Sequence, residues 1–282
     1  MAETSLESPT RTTALRDRFL NLLGTRSLIM GILNITPDSF SDGGQFFSSE
    51  TAQRQAEKLA FEGADIIDVG AESTRPGHQP VSAEEELVRL EPILGRLTGV
   101  IEAPFSIDTS KAAVARRALE LGVSVVNDVW GFQRDPAMAE TVAEFGAAAV
   151  LMHNRESTDP AIEIIADMRR FFDRSLRLAS EAKIPHSHLI LDPGIGFGKS
   201  RAQNFAALAN LAAFKEYGLP LLVGVSRKSI FAESGSPPVD RSLYRTIAGN
   251  LAAAANGASI FRVHDVVEHV AAFKIFDTIA RN

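Results

Sequence analysis

Eight times along the 282-residue chain a short apolar run is followed by a polar or glycine-rich turn and then by a helical pattern. The apolar runs are SLIMGIL (27–33), ADIIDVG (64–70), APFSID (103–108), VSVVND (123–128), AAAVLMH (147–153), HLILD (188–192), PLLVGVS (220–226) and ASIFRV (258–263). Most are continuously apolar, as strands covered on both faces must be. Helices are predicted near 50–62, 83–97, 111–121, 136–145, 161–182, 201–216, 241–256 and 265–280, with Gly218 placed to end the sixth of these connections in a C-cap. Eight β/α units predict an α/β protein built as one closed (β/α)8 TIM barrel over residues 21–282, preceded by a short flexible N-terminal extension over residues 1–20. A doubly wound sheet would ordinarily use fewer strands or add a second domain.

In such a barrel, chemistry collects where strands end and loops begin. Reading those ends gives Asn34, Asp68 through Arg75, Asp108, Asn127 with Asp128, His153, Asp192, Ser226 through Lys228, and Arg262 through His264. Any one of these residues could cap a helix or shape a turn. Eight polar strand ends converging on one rim make eight separate structural explanations less economical.

Composition narrows the partners. With 29 Lys and Arg against 35 Asp and Glu, the formal charge of -6 gives no general attraction to nucleic acid or to an acidic membrane. The absence of cysteine excludes disulfides and thiolate nucleophiles. The N-terminus lacks the apolar segment of a signal peptide and no 18-residue apolar run is present, so a cytoplasmic enzyme is expected. The stretch DPGIGFGKS (192–200) looks like a phosphate loop, but Pro193 stands where a Walker motif needs its first glycine and Lys199 where a dinucleotide fingerprint needs its last. What remains is a carboxylate, Asp192, at a strand end, able to accept two donors side by side.

Taken together, GILNITPDSFSDGG (31–44), DVGAESTRPG (68–77), SIDTSK (106–111), ND (127–128), LDPGIGFGK (191–199), GVSRKS (224–229) and RVHDV (262–266) resemble the dihydropteroate synthase family, in family order. The resemblance implies a TIM barrel that joins 6-hydroxymethyl-7,8-dihydropterin pyrophosphate to p-aminobenzoate, giving 7,8-dihydropteroate and pyrophosphate for folate synthesis. It implies that Asp108, Asn127, Asp192 and Lys228 hold the pterin, that Asn34 is a ligand of Mg2+, and that Arg262 and His264 bind the diphosphate. Thr74 and Arg75 are placed by it near the aminobenzoate and diphosphate, Ser226 on the aminobenzoate side, and Phe197 over the aromatic substrates. Asn34, Asp108, Lys228 and Arg262 are its catalytic set, and a homodimer is its expected assembly.

Two stretches depart from the usual family pattern: LMHNRE (151–156), and Trp130 in NDVWGFQRD, which reads as core filler in preference to a rim residue. The loop SFSDGGQF (39–46) has the glycines and aromatic ends of a segment that could close over substrates. Related readings are a pterin-dependent methyltransferase and an inactive pterin-binding paralogue. STRPG and RVHDV favour diphosphate chemistry over the first, and Asn34 together with Arg262 and His264 favours catalysis over the second.

Overall fold

A computed structural model describes residues 11–35, 49–72, 81–231 and 242–280. Eight strands run in chain order: β1 (Leu28–Asn34), β2 (Ile66–Gly70), β3 (Phe105–Asp108), β4 (Val125–Asp128), β5 (Ala148–Met152), β6 (Leu189–Asp192), β7 (Leu222–Val223) and β8 (Ile260–Val263). All pair in parallel in the order β6-β5-β4-β3-β2-β1-β8-β7. The two ends of that order meet through a bridge between Leu191 and Leu221, with the Leu191 N–H donating to Pro220 O at 3.0 Å. The sheet is thereby a closed barrel, as the eight repeats predict.

Helices α1 (Arg11–Leu22), α2 (Ser49–Phe61), α3 (Ala83–Val100), α4 (Ala112–Glu120), α5 (Met138–Glu144), α6 (Ile164–Glu181), α7 (Arg201–Ala209), α8 (Ser242–Ala255) and α9 (Val266–Ala280) complete the described elements. Local chemistry sets several of their ends. Ser82 with Glu85 forms a capping box at the start of α3, and Ser200 with Gln203 forms another at the start of α7. The helix expected over 201–216 is α only to Ala209, tightens to 3₁₀ over Leu211–Tyr217, and ends on a left-handed Gly218 as the sequence suggested.

Two apolar layers follow from the two-residue alternation of a strand. Ile29, Ile67, Phe105, Ile107, Val126, Ala149, Leu191 and Phe261 pack with the helices in one large core. Leu28, Met30, Ile66, Val125, Ala148, Val150, Ile190, Leu222 and Ile260 form a second cluster, from the alternate positions of the strands, filling the barrel.

Phe19 from α1 joins that inner cluster and is fully buried. The expected flexible extension over 1–20 is therefore corrected for residues 11–20: they are helical, and one aromatic of that helix plugs the barrel floor. Leu15, Phe19 and Leu22 stand at helical spacing, but Phe19 alone is fully buried, and the spacing does not say what the helix docks on. The expected strand over 220–226 is likewise shorter, because the ladder stops at Val223 and the chain turns through a left-handed Arg227 (φ 57°).

Candidate active site

The inward parity of the barrel continues to its C-terminal rim. Counting by two from the buried inner positions, Met30 leads to Asn34, Ile66 to Asp68, Val125 to Asn127, Ile190 to Asp192, and Ile260 to Arg262 and His264. Polar residues at those steps are thus delivered into one mouth by strands whose lower halves are apolar.

Arg262 organises the mouth. Its Nε donates to Asp68 Oδ2 at 2.6 Å and its Nη2 to Asp108 Oδ2 at 2.7 Å, a forked contact to two neighbouring carboxylates. Asn127 Nδ2 donates to the same Asp68 oxygen at 3.2 Å. Asp68, on the strand before the STRPG stretch, is fully buried and completes a cluster for which the resemblance supplied no role. The sequence marks it only as one of the strand-end polar residues, two beyond Ile66 on the inward face, with no sign of its partners. Among the described residues, Asp68 Oδ1, Asp108 Oδ1 and Asn127 Oδ1 are buried with no hydrogen-bond partner. Three acceptors so placed favour a ligand edge rich in N–H donors, since unsatisfied buried acceptors are costly.

The electrostatics follow from burial. Desolvation pushes Asp108 up to about 7, with Asp68, Glu86 and Asp192 adding like charge and Arg262 pulling the other way. Asp192 is raised by burial too, although the Gly194 N–H donates to its Oδ1 at 2.7 Å and Lys228, Lys199 and Arg262 oppose the shift. Lys228 is pushed down to about 8 by desolvation, against the pull of Asp192 and Asp108. Its ammonium donates to Ile195 O and lies 4.5 Å from the centre of the Phe197 ring. Phe197, itself half-buried, therefore presents its ring face to a cation at the mouth.

Ser226 Oγ and His264 Nδ1 are 2.8 Å apart, and the His264 N–H donates to Ser226 Oγ at 3.2 Å. That pair ties the end of the β7 segment to the end of β8. Asn34 ends β1 half-buried beside Gly70 of β2. Thr74 and Arg75 lie outside the described residues, as does the 39–46 loop.

Other strand-end residues turn away from the mouth. Asp128 has the opposite parity to Asn127 and accepts from the N–H groups of Trp130 at 2.9 Å and Phe132 at 2.7 Å, so it shapes a turn. Trp130 is not core filler: it is half-exposed beneath the Arg134 guanidinium, 4.8 Å from its ring. His153 is fully buried against Phe171 and Asp167, and desolvation pushes it down to about 3, so it is neutral. Lys111, from the SIDTSK stretch, bridges Glu72 and the fully buried Glu86, the latter at 2.8 Å. This pairing fastens β2's C-terminal exit to α3.

Residues 30–264 match the family model for pterin binding enzymes. The chain is 44% identical over 260 residues to dihydropteroate synthase of Clostridium beijerinckii, covering 92% of this chain and 96% of that one. Its structure is similar to that of Clostridium difficile dihydropteroate synthase crystallised in the presence of pteroic acid, with a TM-score of 0.88, 43% identity, and coverage of 92% and 98% of the two chains. It is also similar to the Xanthomonas albilineans enzyme with 4-aminobenzoic acid, with a TM-score of 0.86, 39% identity, and coverage of 91% and 94%. With the family model spanning most of the barrel and relatives aligned nearly end to end, this chain belongs to the dihydropteroate synthase family of pterin-binding enzymes.

Proposed function

We propose that the mouth bounded by Asp68, Asp108, Asn127, Asp192 and Lys228 is the pterin pocket of a dihydropteroate synthase. The enzyme condenses 6-hydroxymethyl-7,8-dihydropterin pyrophosphate with p-aminobenzoate, forming 7,8-dihydropteroate and releasing pyrophosphate. The observation carrying the site assignment is the set of buried, unpartnered acceptors on Asp68, Asp108 and Asn127. A pterin edge, with adjacent ring N–H and amino donors, is complementary to them. Lys228 supplies a cation beside them, for a ring oxygen or nitrogen.

In this reading Asp108, Asn127 and Asp192 fix the ring, and Phe197 and Lys228 cover it. The C–O bond between the pterin methylene and the diphosphate breaks, the ring sharing the developing positive charge. The aminobenzoate nitrogen then forms the new C–N bond without a protein nucleophile. Arg262, held at the back of the site by Asp68 and Asp108, keeps positive charge near the leaving group. His264, aligned by Ser226, donates from the neighbouring strand end, and Thr74 and Arg75 are assigned to the aminobenzoate and diphosphate side.

Mg2+ is part of the proposal. Among the described residues no cluster of three or more His, Asp or Glu side chains is arranged to hold a metal. Asn34 would hold the ion through its neutral amide oxygen, a hard ligand suited to Mg2+. When bound, that ion offsets charge on the departing diphosphate.

A homodimer in the cytoplasm completes the reading. Exposed Phe205 on α7, Tyr244 on α8, and Ile275 and Ile279 on α9 support an apolar association surface. Product formation from the two substrates, with and without Mg2+, tests the reaction. A folded protein that binds pterin yet releases no pyrophosphate would sink the enzymatic reading.

A further inference from the structure

Lys199 ends a stretch that lacks the glycine of a phosphate loop, and its surroundings give it another task. The side chain is buried, with 7% of its surface exposed. Its ammonium donates to His153 O at 3.2 Å, Gly194 O at 2.7 Å and Phe197 O at 3.0 Å. Three N–H donors meet three carbonyls, so the group is spent entirely on backbone and has no donor left for an anion.

The three carbonyls belong to two segments. His153 begins the connection after β5, while Gly194 and Phe197 lie in the loop after β6. The segments approach so closely that a Cβ on Gly194 (φ 63°) would stand 1.9 Å from His153 O, and one on Gly198 2.3 Å from Arg155 O. Three carbonyl oxygens gathered within 3.2 Å of one nitrogen repel one another, and the buried cation between them relieves that repulsion. What the gathered loop presents is the mouth itself. The Gly194 N–H reaches Asp192, Ile195 O reaches the Lys228 ammonium, and the Phe197 ring lies beneath the same ammonium.

We propose that Lys199 is a positioning residue for the pterin pocket: its ammonium clamps the β5 and β6 loops together and so sets Asp192, Phe197 and Lys228 at their working geometry. Lys199 touches no substrate in this role. The clamp depends on the charged form, because a neutral amine has two N–H donors and would turn a lone pair toward the third carbonyl. Burial pushes Lys199 down to about 7; Asp192 and Asp167 oppose that shift, while Lys228 and Arg155 add to it, and the neighbouring buried His153 is neutral.

The inference rests on the pterin reading of the mouth, and its test separates the two. Lys199→Met keeps the stem and removes the donors. Calorimetric titration with 6-hydroxymethylpterin pyrophosphate should show affinity lowered by roughly 10- to 100-fold, the range for residues that orient contacting groups. The KM for p-aminobenzoate at saturating pterin should change far less. The chain has no cysteine, so Lys199→Cys can be aminoethylated at that position alone, in the unfolded chain before refolding. This should restore pterin affinity, with its alkaline fall moved to lower pH because the new amine is more acidic than that of lysine. Wild-type affinity in Lys199→Met, or no restoration by aminoethylation, would overturn the clamp. Failure of both unmodified variants to fold would make Lys199 a stability residue and overturn it equally. Wild-type protein that does not bind the pterin would instead remove the pocket assignment.

Discussion

Asp108 sits where several charges meet, those of Arg262, Asp68, Glu86 and Asp192. Its folded value of about 7 lies above the ordinary 3.8, so the native state holds a proton over that interval that the unfolded chain has lost. Its contribution to stability therefore falls as pH rises from about 4 to about 7. Pterin donors favour the ionised carboxylate, so Asp108 gives pterin affinity a limb that rises with pH through about 7, opposed on the alkaline side by the fall that loss of the Lys199 proton brings. In Asp108→Asn the stability slope should flatten, the rising limb of affinity should vanish while the alkaline fall stays, and affinity should drop, as calorimetry and urea melts across pH 5–9 would reveal. An unchanged profile would exclude Asp108 as the titrating acceptor. Arg262→Ala should lower kcat/KM at least about 100-fold, as loss of charge at a leaving group does. It should also move the Asp108 limb to higher pH, because the guanidinium is the main charge holding that carboxylate down. Steady-state kinetics over the same range would show both effects, and wild-type kinetics would reject the assignment.

The loop after β6 is decided by backbone room as much as by side chains. Gly194→Ala would place a methyl group against His153 O in a left-handed conformation. Destabilisation of at least about 2 kcal/mol is expected, measured by denaturant unfolding. If the folded fraction survives, its pterin affinity should fall with Asp192 and Phe197 displaced. A neutral effect on both stability and affinity would mean that the two loops can separate without consequence. The capping box at Ser200 and Gln203 and the Asn204 Oδ1 that accepts from the Gly196 N–H pin the far end of the same loop. Few degrees of freedom therefore remain between Asp192 and α7.

For the molecule as a whole, the barrel needs a floor as well as a mouth. Phe19 of α1 is the aromatic that seals the inner cluster. Phe19→Ala should cost about 3–5 kcal/mol, the range for an aromatic removed from a packed core, and lower the thermal midpoint while leaving substrate KM values near wild type. A large KM change with unchanged stability would contradict the separation of floor from mouth. Eight parallel strands were legible in the chain because buried strands must be apolar, and the polar residues that end them were legible because they break that rule. Asp108, Asn127, Asp192, Lys228 and Arg262 could all be selected that way, and long motifs in family order supplied the chemistry. The sequence could not show where α1 docks, since the spacing of Leu15, Phe19 and Leu22 marks a helical face without fixing what that face meets. Nor could it show that Asp68 joins the cluster, that Trp130 stays at the surface, or that Lys199 turns inward onto three carbonyls. Each depends on contacts between segments far apart in the chain, and such contacts have a geometry only once the barrel has closed.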